Sequence, residues 1–483
     1  MDENFLKCIT REVKFSCGDL PYPPILVWEK NPEDLIVKSW QALAENIIKG
    51  ETDNQINLYV HLPFCLSKCL YCTCVSFVNR DEKEYDKYLD ALEKEARKMG
   101  QLIEPVPIAS VYFGGGTPSL LSAKQLERLF KIVNENFDLH KKNQIAFESS
   151  AQTLTPDKIE VLKKYKIDRL TIGVQSLDEK ILKINNRLQE KDLVYKVFNE
   201  ARKQGIKYIN IDIMAGIPGQ SLSSFYNTLL KIIKLKPNML HVNPFYPTLH
   251  TPFFHAGKRL SAKDLKKRSK MIILGKKMIK KAGYKELKND SFGLDDKSGN
   301  VQIQMYTARE KNSSILGIGM GAISHVTGYL HYCNLNFENH PNWILEKKFP
   351  PFFSSYRDYL DKFLAGKKFD HWGYQMNKEE EMRNYLIHNV KVGLDKRGFK
   401  KIFGEDLNKM FAREIKILNS KNKLEETADF LRFNFNDNQN FNIYEKYFYS
   451  PEVLNRLKEI IKVNDKAYKD IDHDLDVYIE KYE

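Results

Sequence analysis

Four of the seven cysteines, Cys65, Cys69, Cys72 and Cys74, crowd into the single stretch YVHLPFCLSKCLYCTC. Thiols packed this closely suit a metal better than a disulfide framework, and the odd total fits a reducing compartment. Three thiolates spaced C-x3-C-x2-C on one short loop can take three corners of an iron–sulfur cubane, which leaves one iron without a protein ligand. That open iron is where a chelating small molecule could bind. A structural zinc ion with Cys74 as its fourth ligand is the competing reading. Zinc prefers paired C-x2-C knuckles, and the C-x-C pair Cys72–Cys74 is awkward around one tetrahedral ion. Cys8, Cys17 and Cys333 stand apart.

Five further segments carry ligand-capable residues. VYFGGGTPS (111–119) offers the side-chain-free backbone of Gly114, Gly115 and Gly116, followed by Thr117, where a ligand can approach closely and meet N–H groups. FESSAQTLT (147–155) carries Glu148, and TIGVQSLDEKILKINNR (171–187) carries Gln175 and Arg187. Gln suits ribose hydroxyls and Arg a carboxylate. In NIDIMAGIPGQ (210–220), Asp212 interrupts an apolar run, a costly arrangement unless the carboxylate is paired or bound to a ligand. ILGIGMGAIS ends near Ile323, and its alternative reading is a core strand.

These residues need a frame. Strand-like runs occur at 56–62, 108–114, 144–149, 169–176, 208–216 and 239–245, with helical periodicity over Tyr85–Met99, Ala123–Asn136, Pro156–Tyr165, Asp192–Gln204 and Leu222–Leu235. Ser122 and Thr155 can cap helices, with Pro156 in a first turn. Six strands alternating with helices predict parallel pairing through right-handed crossovers, hence an α/β barrel or part of one. Chemistry in such folds gathers at the C-terminal strand ends, where the residues above fall. Residues 1–55 read as a Pro-containing lead-in with a short helix near Asp34–Ile48, and 56–300 as the core barrel. Residues 301–370 read as an extension with a strand and linker, and 371–483 as a mainly helical C-terminal domain.

The C-x3-C-x2-C loop after a strand, with Tyr71 before the last cysteine, resembles the radical SAM superfamily. Within it, Y-V-H-L-P-F-C and the additional Cys74 are similar to the oxygen-independent coproporphyrinogen III oxidases, over about residues 56–335 and more loosely over 370–435. The resemblance implies a partial (β/α)6 TIM-like barrel and a [4Fe–4S] cluster held by Cys65, Cys69 and Cys72. It also implies S-adenosylmethionine (SAM), reductively cleaved to a 5′-deoxyadenosyl radical. It places Gly114, Gly115, Gly116 and Thr117 at the SAM amino group, and Glu148, Gln175, Arg187 and Asp212 on SAM, with Tyr59 near the cofactor. Ile303-Gln-Met-Tyr-Thr-Ala308 and the GMGAIS run put Gln304 and Ile323 beside a second SAM. The implied reaction is oxidative decarboxylation of porphyrinogen propionates. Two other readings stand beside it: methyl transfer or cyclopropanation of another small molecule with two SAM, and a haem-binding chaperone. The chaperones usually lack the fourth cysteine, so Cys74 argues against that class. As a catalytic candidate Cys74 is a hydrogen donor, a neighbour of the cluster or a plain core thiol. The family's Gly-Pro-Arg-Tyr lead-in is here GDLPYPPILVWE (18–29), without arginine, and its Asp-His-Phe-Ala is Asp290-Ser-Phe-Gly293.

The net charge of +13 suggests an anionic partner or a lysine-rich composition, since the lysines spread along the chain. Nucleic acid is disfavoured, because no basic cluster is interleaved with stacking aromatics. No apolar run approaches the roughly 20 residues of a membrane span, and MDENFLKCIT has no apolar signal-peptide core, so a cytoplasmic protein is expected. The partners implied are a small molecule, such as a tetrapyrrole, and an electron donor such as flavodoxin or ferredoxin.

Overall fold

Runs such as INLYVHL and YINIDIMA are apolar on both faces, the pattern of strands covered on two sides. They form six parallel strands in sequence order: Ile56–Leu62, Ile108–Gly115, Leu139–Ser149, Arg169–Gln175, Tyr208–Ala215 and Met239–Pro244. The computed structural model describes residues 6, 9–10, 22–248, 251–287, 291–295, 312–335, 352–368, 370–391, 393–434 and 441–468. The six strands are the curved centre of one open 13-stranded sheet, a partial barrel. Ser314–Ile318 joins parallel to the first strand, and Ser291–Gly293 joins antiparallel to the sixth.

Helices cover the outside for reasons the sequence states. Ala123–Asn136 buries Leu126, Leu129, Phe130 and Val133 at helical spacing, and Ser122 with Gln125 closes a capping box. Thr155 does not cap Pro156–Lys164 with its side chain; its hydroxyl bonds instead to the Asp157 carboxylate. Helix Glu33–Ile48 packs in the lead-in. Among the described residues no helix is long and apolar enough to cross a membrane.

The extension does more than link. Ile323–Val326, Leu330–Cys333 and His371–Gln375 continue the main sheet antiparallel, and Glu29–Asn31 of the lead-in pairs with the last of these, Lys30 opposite Trp372. Beyond it, helices Lys378–Asn389, Lys396–Phe403, Ala412–Ser420 and Pro451–Tyr468 gather round a three-stranded sheet. The ILGIGMGAIS run is two strands, Ser314–Ile318 and Ile323–Val326, broken by a turn with Gly319 and Gly321 at positive φ.

That turn is held by a buried carboxylate. Glu95, on the inner face of helix Glu82–Ile103, accepts the Gly319 N–H at 2.7 Å, the Tyr359 hydroxyl at 2.6 Å and the Asn334 amide. Tyr88, on the same face, donates to the His61 carbonyl at 2.7 Å and accepts from Met320 N–H at 3.0 Å. Each donor left unsatisfied in this dry interior costs about 1–3 kcal/mol. Glu95→Ala, which strands three of them, is therefore expected to lower unfolding free energy by on the order of 3 kcal/mol or more in a denaturant titration. A loss below about 0.5 kcal/mol, the size of an ordinary surface change, would contradict this account.

Candidate functional site

The first strand runs straight into the cysteine loop, and the loop's backbone is tied down residue by residue. Gly116 N–H donates to Leu62 O at 2.7 Å and Thr117 N–H to Phe64 O at 2.8 Å. Leu70 N–H donates to Asn185 O at 3.1 Å, and Phe253 N–H to Leu70 O at 3.0 Å. Phe64, just before Cys65, sits among the rings of Phe77, Tyr85 and Tyr88. On the returning arm, His61 Nε2 donates to Val75 O at 2.7 Å, so its Nδ1 accepts from the Tyr59 hydroxyl at 3.0 Å. Burial, only partly opposed by the Val75 carbonyl, pushes His61 down to about 4 and keeps it neutral.

The glycine run serves this loop as much as any ligand. A Cβ on Gly115 would lie 2.7 Å from the His61 ring, and one on Gly116 would lie 2.6 Å from Phe64 O. The expectation of free N–H groups needs correcting, because those of Gly116 and Thr117 bond the loop and that of Gly115 bonds Glu148. A ligand meeting this segment must therefore be a donor, as an ammonium group is.

A cavity of about 660 Å³ opens over the strand ends. Cys65, Cys69, Cys72 and Cys74 line it, together with Gly115, Gly116, Thr117, Glu148, Gln175, Arg187, Asp212 and Ile323. Tyr59 and Gly114 lie just beneath. A Cβ on Gly114 would come within 3.2 Å of both the Tyr59 ring and Glu148 Oε2. Gln304 lies outside the described residues, as do Cys8 and Cys17.

Strand register sets the polar row. Glu148 is opposite Thr171, and Asp212 is opposite both Gly173 and His241. The Tyr112 hydroxyl donates to Glu148 Oε1 at 2.6 Å, and Asn210 donates to Asp212 Oδ1 at 2.6 Å. Burial pushes the Glu148 carboxyl up to about 7, with the Tyr112 bond pulling against it and the Asp212 charge adding to it. Gln175 follows an irregularity in the strand pairing and has φ of 66°, a left-handed conformation that costs free energy in a non-glycine residue. Its side-chain oxygen is buried without a partner, and an orphan of this kind is what a bound polar ligand would satisfy. Arg187 points its guanidinium at the Gly173 carbonyl, the Gln189 amide oxygen and, at 4.0 Å, Cys69 Sγ.

The four thiols are not equivalent. Cys74 opens into the cavity and hydrogen-bonds Cys72, which holds the Cys72 thiol well below its ordinary range and Cys74 well above it. Cys65 lies 3.5 Å from the Thr117 hydroxyl. Among the described residues, no three Cys, His or carboxylate side chains converge closely enough for a single metal ion. A zinc ion would need sulfurs within about 4 Å of one another, given Zn–S bonds of about 2.3 Å, whereas a cubane spreads its thiolates more widely. Three cysteines on one loop beside the orphaned Gln175 oxygen make a donor set that fits a cluster with an organic ligand.

Several lining residues escape the sequence reading. Asn243 obeys the strand-end rule on the sixth strand, and Ser150 and Thr153 sit in a segment already singled out, so those signals were available. Trp28, Trp372 and Cys333 have no local signal; pairing of the lead-in with His371–Gln375 brings the two indoles to the cavity. The raised Glu148 value carries a test. A carboxyl whose folded value exceeds its ordinary 4.5 contributes stability that is complete below that value and lost as pH rises through about 7. The melting temperature of the metal-free protein should fall across this window, and Glu148→Gln should flatten the fall. An identical slope in the variant would show that Glu148 does not titrate this way.

Comparison with known proteins agrees with this geometry. The radical SAM superfamily matches residues 59–232. The oxygen-independent coproporphyrinogen III oxidase of Salmonella typhimurium is 31% identical over 64% of this chain and 68% of its own length. The heme chaperone HemW of Buchnera aphidicola subsp. Schizaphis graminum is 28% identical over 71% of this chain and 91% of its own. The solved structure of coproporphyrinogen III oxidase (HemN) from Escherichia coli superposes with a TM-score of 0.72 at 22% identity, covering 89% of this chain and 96% of that one. With the superfamily match, the identity to coproporphyrinogen III oxidases and the shared fold in agreement, this protein belongs to the radical SAM superfamily, in the HemN-like subfamily that includes coproporphyrinogen III oxidases and HemW heme chaperones.

Proposed function

We propose that this protein is a SAM-cleaving radical enzyme that oxidatively decarboxylates the propionates of a porphyrinogen, coproporphyrinogen III being the first substrate to test. In this reading Cys65, Cys69 and Cys72 hold the [4Fe–4S] cluster. Held there, the group would supply the single electron for reductive cleavage of SAM. The chain's own residues bind and orient. The glycine segment accepts from the SAM ammonium, Gln175 meets its orphaned oxygen's need, and Arg187 and Asp212 supply charge. Glu148, held by Tyr112, fixes the wall between them. Ile323 lines the cavity and suits the edge of a second SAM.

The observation that carries the substrate reading is that one cavity joins the cysteine loop to an aromatic wall made by Trp28, Trp372, Phe245 and Tyr246. Such a wall suits a large flat ring system. The identity to curated coproporphyrinogen III oxidases supports the same reading. A haem-binding chaperone is the second reading, favoured by the alignment with HemW of Buchnera aphidicola, which spans 91% of that protein.

Two experiments separate these. Replacing Cys65, Cys69 or Cys72 singly with Ala should abolish the brown cluster absorbance and SAM cleavage, while Cys74→Ala keeps both. Loss of iron in the Cys74 variant, or full iron in two of the other three, would sink the ligand assignment. Anaerobic incubation of reconstituted protein with SAM, a reductant and coproporphyrinogen III should yield 5′-deoxyadenosine and a tetrapyrrole that has lost carbon dioxide and hydrogen from a propionate. An unchanged porphyrinogen beside stoichiometric haem capture would favour the chaperone, and a methylated product would favour methyl transfer.

A further inference from the structure

The cysteine loop has two sides. Ser67, Cys69 and Tyr71 line the cavity, whereas Lys68 and Leu70 do not. The backbones of these last two are bonded on the loop's other side, Lys68 O to the Asn186 amide at 2.9 Å and Leu70 to Asn185 and Phe253. Beneath them Cys69 and Tyr71 pack into a small hydrophobic knot with Ile181, Phe253, Leu260 and Leu265. This knot packs the Cys69 side chain against residues of the elements outside the loop. It also fixes which surface lies there: helix Glu179–Ile184, the turn after Phe253, and the first turns of helix Ala262–Lys281.

That surface is basic and unspent. Lys180, Lys183, Lys258, Lys263 and Lys266 are exposed, and none forms an ion pair with the described residues. The acids among them are already engaged. Asp178 caps helix Glu179–Ile184 and accepts from Ser224, Glu179 accepts the Lys191 N–H, and Asp264 closes its own capping box and pairs with Lys267. Elsewhere on the outside some lysines do meet acids, as in Lys98–Glu33, Lys164–Glu127 and Lys280–Glu286. Within it Ile184 is 50% exposed, an apolar contact on the same short helix as Lys180 and Lys183. A basic field around a small apolar centre steers and seats an acidic protein weakly and reversibly, as a turnover carrier requires.

We propose that this face is the docking surface for a small acidic one-electron carrier protein, which delivers the reducing electron through the Leu70–Phe253 side of the loop while SAM and substrate occupy the cavity side. The proposal rests on the reading of the loop as a reducible iron–sulfur site. One electron leaves the carrier's reduced prosthetic group, oxidising it by one, and the same electron is consumed when the C–S bond of SAM breaks. The carrier returns to its own reductase for the next.

The test uses the reconstituted holoenzyme with reduced flavodoxin as the probe. In the triple variant Lys258→Glu, Lys263→Glu, Lys266→Glu, the flavodoxin Kd at low salt should rise at least tenfold, and its steep dependence on ionic strength should flatten. The rate of enzyme reduction by flavodoxin should fall in step, while SAM cleavage driven by dithionite stays at the wild-type level. A matched triple on the C-terminal helices, Lys400→Glu, Lys409→Glu, Lys416→Glu, should leave binding and reduction unchanged. The proposal is overturned if the first triple binds and accepts electrons like wild type, or if the control triple weakens binding equally, since net charge would then account for the effect. If wild-type protein cleaves no SAM even with dithionite, the functional reading fails, and the flavodoxin Kd of the two triples still decides the surface.

Discussion

A loop that must keep three thiols and several backbone groups turned toward an open cavity cannot satisfy itself with regular secondary structure. Buried peptide groups without partners cost too much to leave, so the rest of the molecule supplies those partners. Gly116 and Thr117 bond the outgoing arm, the His61 imidazole bonds the returning arm, and Asn185 and Phe253 bond the middle. The tripled glycine then has a reason internal to the fold. With any side chain at Gly115 or Gly116, the second strand could not approach His61 and Phe64 closely enough to make those bonds.

The strand ends around the loop show how such a site accepts local expense. Glu148 is held in the low-dielectric floor with its carboxyl raised, and Gln175 holds a left-handed backbone while its amide oxygen lacks a partner. Neither arrangement helps the empty fold. Costs of this kind concentrate where a ligand will offset them, and both residues sit on the same cavity wall as the thiols.

The barrel was legible because most of its strands are apolar on both faces and its covering helices carry an apolar stripe. The third strand nevertheless starts at Leu139, ahead of the expected 144 and through the polar run 140–143. Ile56–Leu62 and Ala123–Asn136 appear with the bounds expected from periodicity. The cysteine loop was legible from spacing alone, and Glu148, Gln175 and Asp212 from the rule that parallel barrels do chemistry at C-terminal strand ends. What periodicity could not show was who neighbours whom across long stretches of chain. Trp28 and Trp372 reach one cavity through a strand pair between the lead-in and the far side of the extension, and Glu95 reaches a turn more than two hundred positions away. Hydrogen-bond accounting was equally hidden. The glycine N–H groups looked available in sequence and are already engaged in the fold.

The pairing of Lys30 with Trp372 also imposes an order in time. The six barrel strands are complete once Pro244 has been synthesised, whereas the aromatic wall needs a strand that ends at Gln375. At about 5–20 residues per second, a nascent chain spends on the order of ten seconds with the barrel formed and its mouth still uncovered. The aromatic wall on one side of the cavity is therefore made after the thiols and all six barrel strand ends are already in place.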